Sequence, residues 1–99
     1  MSPQSTNDGE VRAEVRIEGH VQGVFFRAST RQKAQSLGLS GYVRNCRDGS
    51  VEAVFEGPEK QVRRAVSWCH KGSSRARVES VEADWTEPKG EFSDFSVRY

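Results

Sequence analysis

The sequence predicts an α+β domain, and two observations lead to this class. Segments with apolar residues at every second position alternate with segments whose apolar residues recur every three or four positions. Their order is strand, helix, strand, strand, helix, strand, with a further terminal strand. The 99 residues, of which 34% are hydrophobic, can bury one modest core. Together these features predict a ferredoxin-like split βαβ sandwich, an antiparallel sheet with both helices on one face.

The domain is assigned to residues 11–99, and residues 1–10 are expected to be a flexible tail. The first strand has apolar residues at alternate positions, which are Val11, Ala13, Val15 and Ile17. The first helix is predicted over residues 26–37, with an apolar side formed by Phe26, Thr30, Ala34 and Leu37. Gly38 is expected to end this helix, and Leu39 to fold back over its end.

The segments "GYVRN" and "SVEAVFEG" alternate again and predict two antiparallel strands. The "CRDG" between them contains Asp48–Gly49, a strong hairpin-turn signal. Pro58 suits the first position of a second helix, whose apolar stripe is Val62, Ala65, Val66 and Cys69.

The strand after the second helix carries Val78, Val81, Ala83 and Trp85, with an irregularity expected near Glu79 and Ser80. The last strand ends with Phe95, Val97 and Tyr99. The two tryptophans, Trp68 and Trp85, are interpreted as packing residues.

Composition restricts the partners. Fifteen basic and 14 acidic residues leave a net charge of +1, which points to neither a nucleic acid nor a membrane surface as a partner. Residues 1–10 have no basic and apolar pattern of a signal peptide. Cys46 and Cys69 are too few for a disulfide framework, so we expect free thiols in a cytoplasmic protein, although one disulfide between them stays possible. A small, evenly charged chain is expected to be a monomer.

The segment "GHVQGVFFRAST", residues 19–30, enters the first helix without a capping side chain. Helix starts usually carry Ser, Thr, Asp or Asn, with acidic residues in the first turn. Here Gly19 and Gly23 allow a tight loop, and Arg27 puts a cation in the first turn. Free N–H groups beside a guanidinium favour an anion such as a phosphoryl group. Because such glycines and arginines are also common for structural reasons, the loop alone leaves both interpretations open.

Two longer motifs, the first of which contains this loop, indicate a family resemblance. The stretches "GHVQGVFFR", residues 19–27, and "GYVRNCRDGSVE", residues 41–52, stand in the order found in the acylphosphatase family, which the sequence resembles from about residue 11 to residue 99. The resemblance implies the same sandwich fold and hydrolysis of the carboxyl–phosphate bond of acyl phosphates. It implies that Arg27 binds phosphate and that Asn45 orients the attacking water. The phosphate-binding loop would be formed by the amides of His20, Val21, Gln22, Gly23, Val24, Phe25 and Phe26.

The chemistry is consistent with these residues. The leaving carboxylate has a conjugate acid of pKa about 4, so it departs without a general acid. Loop amides, Arg27 and Asn45 can hold the phosphoryl group, stabilise its charge and aim a water, and no cofactor, metal or covalent nucleophile is needed. His20 and His70 lie far apart in sequence and are assigned no catalysis, and Asp48 is interpreted as a turn residue. Inorganic phosphate would be a product, and the acyl portion is not specified.

Two alternatives come from other functional classes. RNA-recognition motifs and small ligand-binding domains use related sandwiches, but "SVEAVFEG" lacks the aromatic run that RNA recognition requires. A family member without turnover could survive as a phosphate or protein binder. The presence of both Arg27 and Asn45 argues against that interpretation.

Overall fold

The computed structural model describes residues 9–99. Its elements, in chain order, are β1 (Glu10–His20), α1 (Phe26–Ser36), β2 (Ser40–Asn45), β3 (Val51–Pro58), α2 (Glu59–Cys69), β4 (Arg77–Thr86) and β5 (Phe95–Arg98). The predicted order of strands and helices is confirmed. Of the expected flexible tail, residues 1–8 lie outside the described part of the chain, and Glu10 already pairs with Pro58 as the first residue of β1.

The five strands form one sheet in the order β4-β1-β3-β2-β5. The pairs β1–β3, β1–β4 and β2–β3 are antiparallel, as expected for a split βαβ sandwich. β5 instead lies parallel to β2, with Gly41 opposite Phe95. The sheet is therefore mixed, because the chain after β4 crosses to the far edge and enters β5 in the direction of β2.

The hydrophobic core lies between the sheet and the two helices, with α1 over β2 and β5 and α2 over β1 and β3. The predicted apolar residues of β1 are buried or half-buried. Phe26, Thr30 and Ala34 are buried on α1, and Val62, Ala65 and Cys69 on α2. The Trp68 ring packs 5.6 Å from that of Phe26, between centroids. Trp85 is 44% exposed on the edge strand, so its expected packing role is limited to a contact with the guanidinium of Arg63.

The ends of the elements follow local chemistry. α1 ends at Ser36, one residue earlier than predicted, and Gly38 has the left-handed φ of +72° that reverses the chain. The N–H of Leu39 then donates to the carbonyl of Ala34 at 3.0 Å. Pro58 occupies the N-cap position of α2 rather than the first helical position. The predicted irregularity of β4 is a bulge, since Glu18 pairs with Ser80 but Gly19 with Val78.

Arg and Glu side chains cover much of the opposite sheet face. Exposed ion pairs join Arg44 to Glu52 and Arg16 to Glu18. Arg12 departs from the alternating pattern because it is buried, with its guanidinium 2.7 Å from Glu56. The segment between β4 and β5 closes over this pair, and the N–H groups of Lys89 and Gly90 donate to the Glu56 carboxylate.

Candidate active site

The loop between β1 and α1 has an unusual helix start. Phe25 occupies the N-cap position with left-handed torsions, φ 60° and ψ 23°, although its side chain is 77% exposed. Outside glycine such torsions carry a strain of about 1–2 kcal/mol. No side chain caps α1, and its first turn holds no acidic residue. Ser29 is the first residue of this helix whose N–H donates to a backbone carbonyl, that of Phe25 at 3.0 Å.

Consequently, the N–H groups of residues 21–28 have no acceptor within the described residues 9–99. Several free amides at one helix start form an electropositive concavity. Free amides of this kind are chemically suited to an external anion, which could take the place of the missing cap.

Two side chains hold the loop from either side. Gln22 Nε2 donates to the carbonyl oxygens of Cys46 and Ser50, each at 2.8 Å, and so ties the loop to the β2–β3 turn. The buried Ser73 Oγ donates to the carbonyl of Val24 at 2.7 Å, from the segment between α2 and β4. The loop is therefore fixed to both of its neighbours before any ligand arrives.

Two glycines allow the surrounding elements to approach this closely. A Cβ on Gly19, where φ is +130°, would lie 2.1 Å from the carbonyl oxygen of Arg77. A Cβ on Gly72 would lie 2.4 Å from Cε2 of Phe26, the first residue of α1. Neither distance is compatible with a side chain, so both positions require glycine for steric reasons.

Arg27 stands in the first turn of α1 and lines a cavity of about 340 Å³ in front of the loop. Its guanidinium carbon lies 4.7 Å from the centre of the Tyr99 ring. In the part of the chain that the structure describes, Arg27 has no carboxylate partner within ion-pair distance. Its charge is thus oriented by an aromatic ring and left available to a ligand.

Asn45, the last residue of β2, lines the same cavity. Its Oδ1 is buried, yet no donor among residues 9–99 reaches it. An unpaired buried amide oxygen costs about 1–3 kcal/mol, so such atoms are rare and usually serve a ligand or a water. This oxygen could accept a hydrogen bond from a water that faces an anion held by Arg27.

The cavity brings together part of the predicted set. Its lining residues are Val21, Gly23, Phe25, Phe26, Arg27, Ala28, Arg31, Asn45, Val97 and Tyr99. Of the predicted loop, His20, Gln22 and Val24 do not line it: His20 is exposed at the end of β1, Gln22 anchors the loop, and Val24 is buried beneath it. Sequence reasoning missed Tyr99 and Ser73, since nothing in the sequence pairs them with the loop.

Asp48 is a turn residue, as expected. Hydrogen bonds from the hydroxyl and the N–H of Ser50, together with the Arg16 guanidinium, lower the pKa of its carboxyl to about 2. A carboxylate so fully occupied is a poor general base at neutral pH.

The thiols lie outside the cavity. Cys46 is half-buried and Cys69 buried, and both are free. Burial raises the pKa of the Cys69 thiol to about 12, which makes it unreactive. Within residues 9–99 no group of three His, Cys, Asp or Glu side chains could hold a metal ion. None of the helices in that range is long and apolar enough to cross a membrane.

Comparisons with a family model, with curated proteins and with solved structures all indicate the same family. The Acylphosphatase family model matches residues 13–97. The chain is 56% identical over 86 residues to an acylphosphatase of Roseiflexus sp. (strain RS-1), covering 87% of this chain and 92% of that protein. Its fold is similar to the crystal structure of acylphosphatase from Bacillus subtilis, with a TM-score of 0.87 and 30% identity over 90% of this chain and 99% of that one. An acylphosphatase from Coxiella burnetii has a TM-score of 0.83 and 39% identity, covering 92% and 95% of the two chains.

Proposed function

The chain belongs to the acylphosphatase family and is an acid-anhydride hydrolase of acyl phosphates, and we propose that it cleaves them by direct in-line attack of water. In this mechanism Arg27 and the free amides of the loop hold the phosphoryl group. Asn45 orients the water on the side opposite the leaving carboxylate. The products are the carboxylate and inorganic phosphate.

The observation that carries this proposal is the buried, unpaired Oδ1 of Asn45, a residue that lines one cavity together with Arg27 and the uncapped start of α1. Arg27 and the amides supply donors, whereas this oxygen supplies an acceptor. A phosphoryl group needs donors around its oxygens, and the attacking water needs an acceptor for one of its protons. An amide oxygen is a weak base, so its contribution is orientation and polarisation.

Charge compensation comes from groups of the protein. Negative charge spreads over the equatorial oxygens as the phosphoryl group moves to the water, and the Arg27 guanidinium and the loop amides are the groups available to stabilise it. The carboxylate leaves without protonation because the pKa of its conjugate acid is about 4. The mechanism therefore calls for no metal, and activity is expected to persist with a chelator.

Asn45→Ala tests the division between binding and chemistry. We expect kcat on a synthetic acyl phosphate to fall by about two orders of magnitude, because positioning effects appear mainly in the transition state. The dissociation constant for inorganic phosphate, measured by calorimetry, should stay close to that of the parent. Gln32→Ala, which removes an exposed amide from α1, is the matched control.

Two results would contradict the proposal. A folded Asn45→Ala protein that turns over at the parent rate removes the water-orienting role. An Asn45→Ala protein that loses phosphate binding as well as turnover would mean that Asn45 helps to hold the phosphate. Arg27→Lys, which keeps the charge but not the planar fork, should lose both phosphate affinity and turnover.

The setting of the reaction is also part of the proposal. We infer a monomer of the cytoplasm that uses no cofactor and binds neither nucleic acid nor membrane. Free Cys46 and Cys69 and a net charge of +1 support this setting. Size-exclusion chromatography with light scattering tests the oligomeric state.

A further inference from the structure

The cavity contains a second arginine. Arg31 follows Arg27 by four residues on α1, so it lies on the same side of the helix about 6 Å further along. It lines the same cavity, and its side chain is exposed. Within the described residues, no carboxylate lies at ion-pair distance from it.

Of the 11 arginines in the described residues, four contact a carboxylate and seven do not, so Arg27 and Arg31 are set apart by lining one cavity together. Arg12, Arg16, Arg44 and Arg63 each contact at least one carboxylate. The residues that line the cavity include two arginines and no Asp or Glu. Two cationic side chains in one concave site, with no Asp or Glu side chain among the lining residues, favour a ligand that carries negative charge at two places.

The loop amides, Arg27 and Asn45 are the groups assigned to the phosphoryl end. The remaining lining offers Arg31 together with the apolar surfaces of Val97 and Tyr99. An acyl chain can contact these apolar groups while its far end reaches the guanidinium. This division assigns Arg31 to the acyl end of the substrate.

We propose that Arg31 binds a second anionic group in the acyl portion, and that the enzyme prefers acyl phosphates whose acyl portion carries such a group about one helical turn from the phosphoryl group. A carboxylate or a second phosphate meets this requirement, because a guanidinium binds both through two parallel hydrogen bonds. The inference rests on the proposed function, since Arg27 and the loop must hold the phosphoryl group that is transferred. It makes Arg31 a specificity residue.

A matched pair of substrates tests the proposal. Benzoyl phosphate and 4-carboxybenzoyl phosphate differ by one carboxylate at the far end of the ring. The measured quantity is kcat/KM for 4-carboxybenzoyl phosphate divided by kcat/KM for benzoyl phosphate. It is determined for the parent, Arg31→Gln, Arg31→Lys and Arg64→Gln. Arg64 is an exposed arginine on α2 that does not line the cavity, so its variant controls for overall charge.

Arg31→Gln is expected to lower the ratio by about three- to tenfold, the range for a partly exposed charge-assisted contact. The change should lie in KM, since the contact forms before the reaction and persists through it. Arg31→Lys should keep part of the preference, and Arg64→Gln should keep all of it. Added salt should reduce the preference of the parent.

Two results would overturn the inference. An unchanged ratio in Arg31→Gln means that the guanidinium contacts only solvent. An equal loss of kcat/KM for both substrates, with weaker binding of inorganic phosphate, means that Arg31 belongs to the phosphate cradle. Failure of the proposed function is distinguishable, because it appears as normal turnover of benzoyl phosphate in the Asn45→Ala and Arg27→Lys proteins.

Discussion

Replacing Gln22 tests whether the loop between β1 and α1 depends on its link to the β2–β3 turn. Gln22→Met keeps the approximate length and volume of the side chain but removes the donor that serves the carbonyls of Cys46 and Ser50. Each hydrogen bond contributes about 0.5–1.5 kcal/mol, so the free energy of unfolding should fall by about 1–3 kcal/mol. Because Cys46 directly follows Asn45, the loop and the Asn45 side chain also lose their shared support.

A displacement of about 1 Å between reacting groups can cost up to a hundredfold in rate, so we expect kcat to fall by about one order of magnitude. Urea denaturation gives the unfolding free energy, and turnover of a synthetic acyl phosphate gives kcat. Gln32→Met, on the exposed side of α1, controls for the loss of an amide. Parent values of both quantities in Gln22→Met would refute the role of the link.

Gln22→Glu provides a pH-dependent version of the same test. The ionised carboxylate would face two carbonyl oxygens, which disfavour it, so the pKa of the introduced group should be higher in the folded state than in the unfolded state. The protonated form can still donate one hydrogen bond. Relative to the parent, the variant should be least destabilised below about pH 4.3, the ordinary pKa of Glu. Its destabilisation should increase as pH rises through the folded-state pKa.

Three further predictions concern other parts of the fold. Gly19→Ala should destabilise the protein by about 3 kcal/mol or more, because its Cβ would meet the Arg77 carbonyl at an unfavourable φ; a thermal midpoint equal to that of the parent would contradict this. Ser73→Ala leaves the Val24 carbonyl unpaired, which should cost about 1–3 kcal/mol in urea denaturation and weaken phosphate binding. Burial opposes ionisation of Glu56, but hydrogen bonds from the Lys89 N–H, the Arg12 guanidinium and the Gly90 N–H outweigh it and lower the pKa of its carboxyl. The resulting stability should be present above the ordinary Glu pKa of about 4.3 and lost as pH falls through the lower folded-state value, so the acid limb of the stability curve should flatten in Glu56→Gln.

Most of the fold was predictable because local patterns agree with the final structure. Alternating residues predicted β1, and the Asp48–Gly49 turn predicted the β2–β3 hairpin. The direction of β5 was not predictable in this way, since period-two alternation is the same for parallel and antiparallel strands. The burial of Arg12 was hidden for a similar reason: its partner Glu56 is distant in sequence, and the segment that covers them carries no apolar pattern.

The candidate site was likewise predictable only where local sequence patterns mark its residues. Arg27 and Asn45 stand in motifs, and the missing cap of α1 is visible in the sequence. The left-handed Phe25 was not visible, because the sequence there offers no glycine and the strain is maintained by neighbouring elements. Tyr99 and Ser73 reach the loop through tertiary contacts alone, and no local spacing links them to it.

The strand order also determines how this enzyme acquires its activity. Among the described strands, β2 and β3 are the only sheet neighbours that follow each other along the chain, so every other pairing must close a long loop. Because such long loops must close before their contacts form, a mixed α/β chain of this kind folds more slowly than a helical bundle of similar size. The site draws on β2, β5, α1 and the loop after β1, so it is complete only when these distant segments have met. Recovery of hydrolysis during refolding should therefore coincide with the slowest folding phase. Partly folded chains, in which these segments have not yet met, should be inactive.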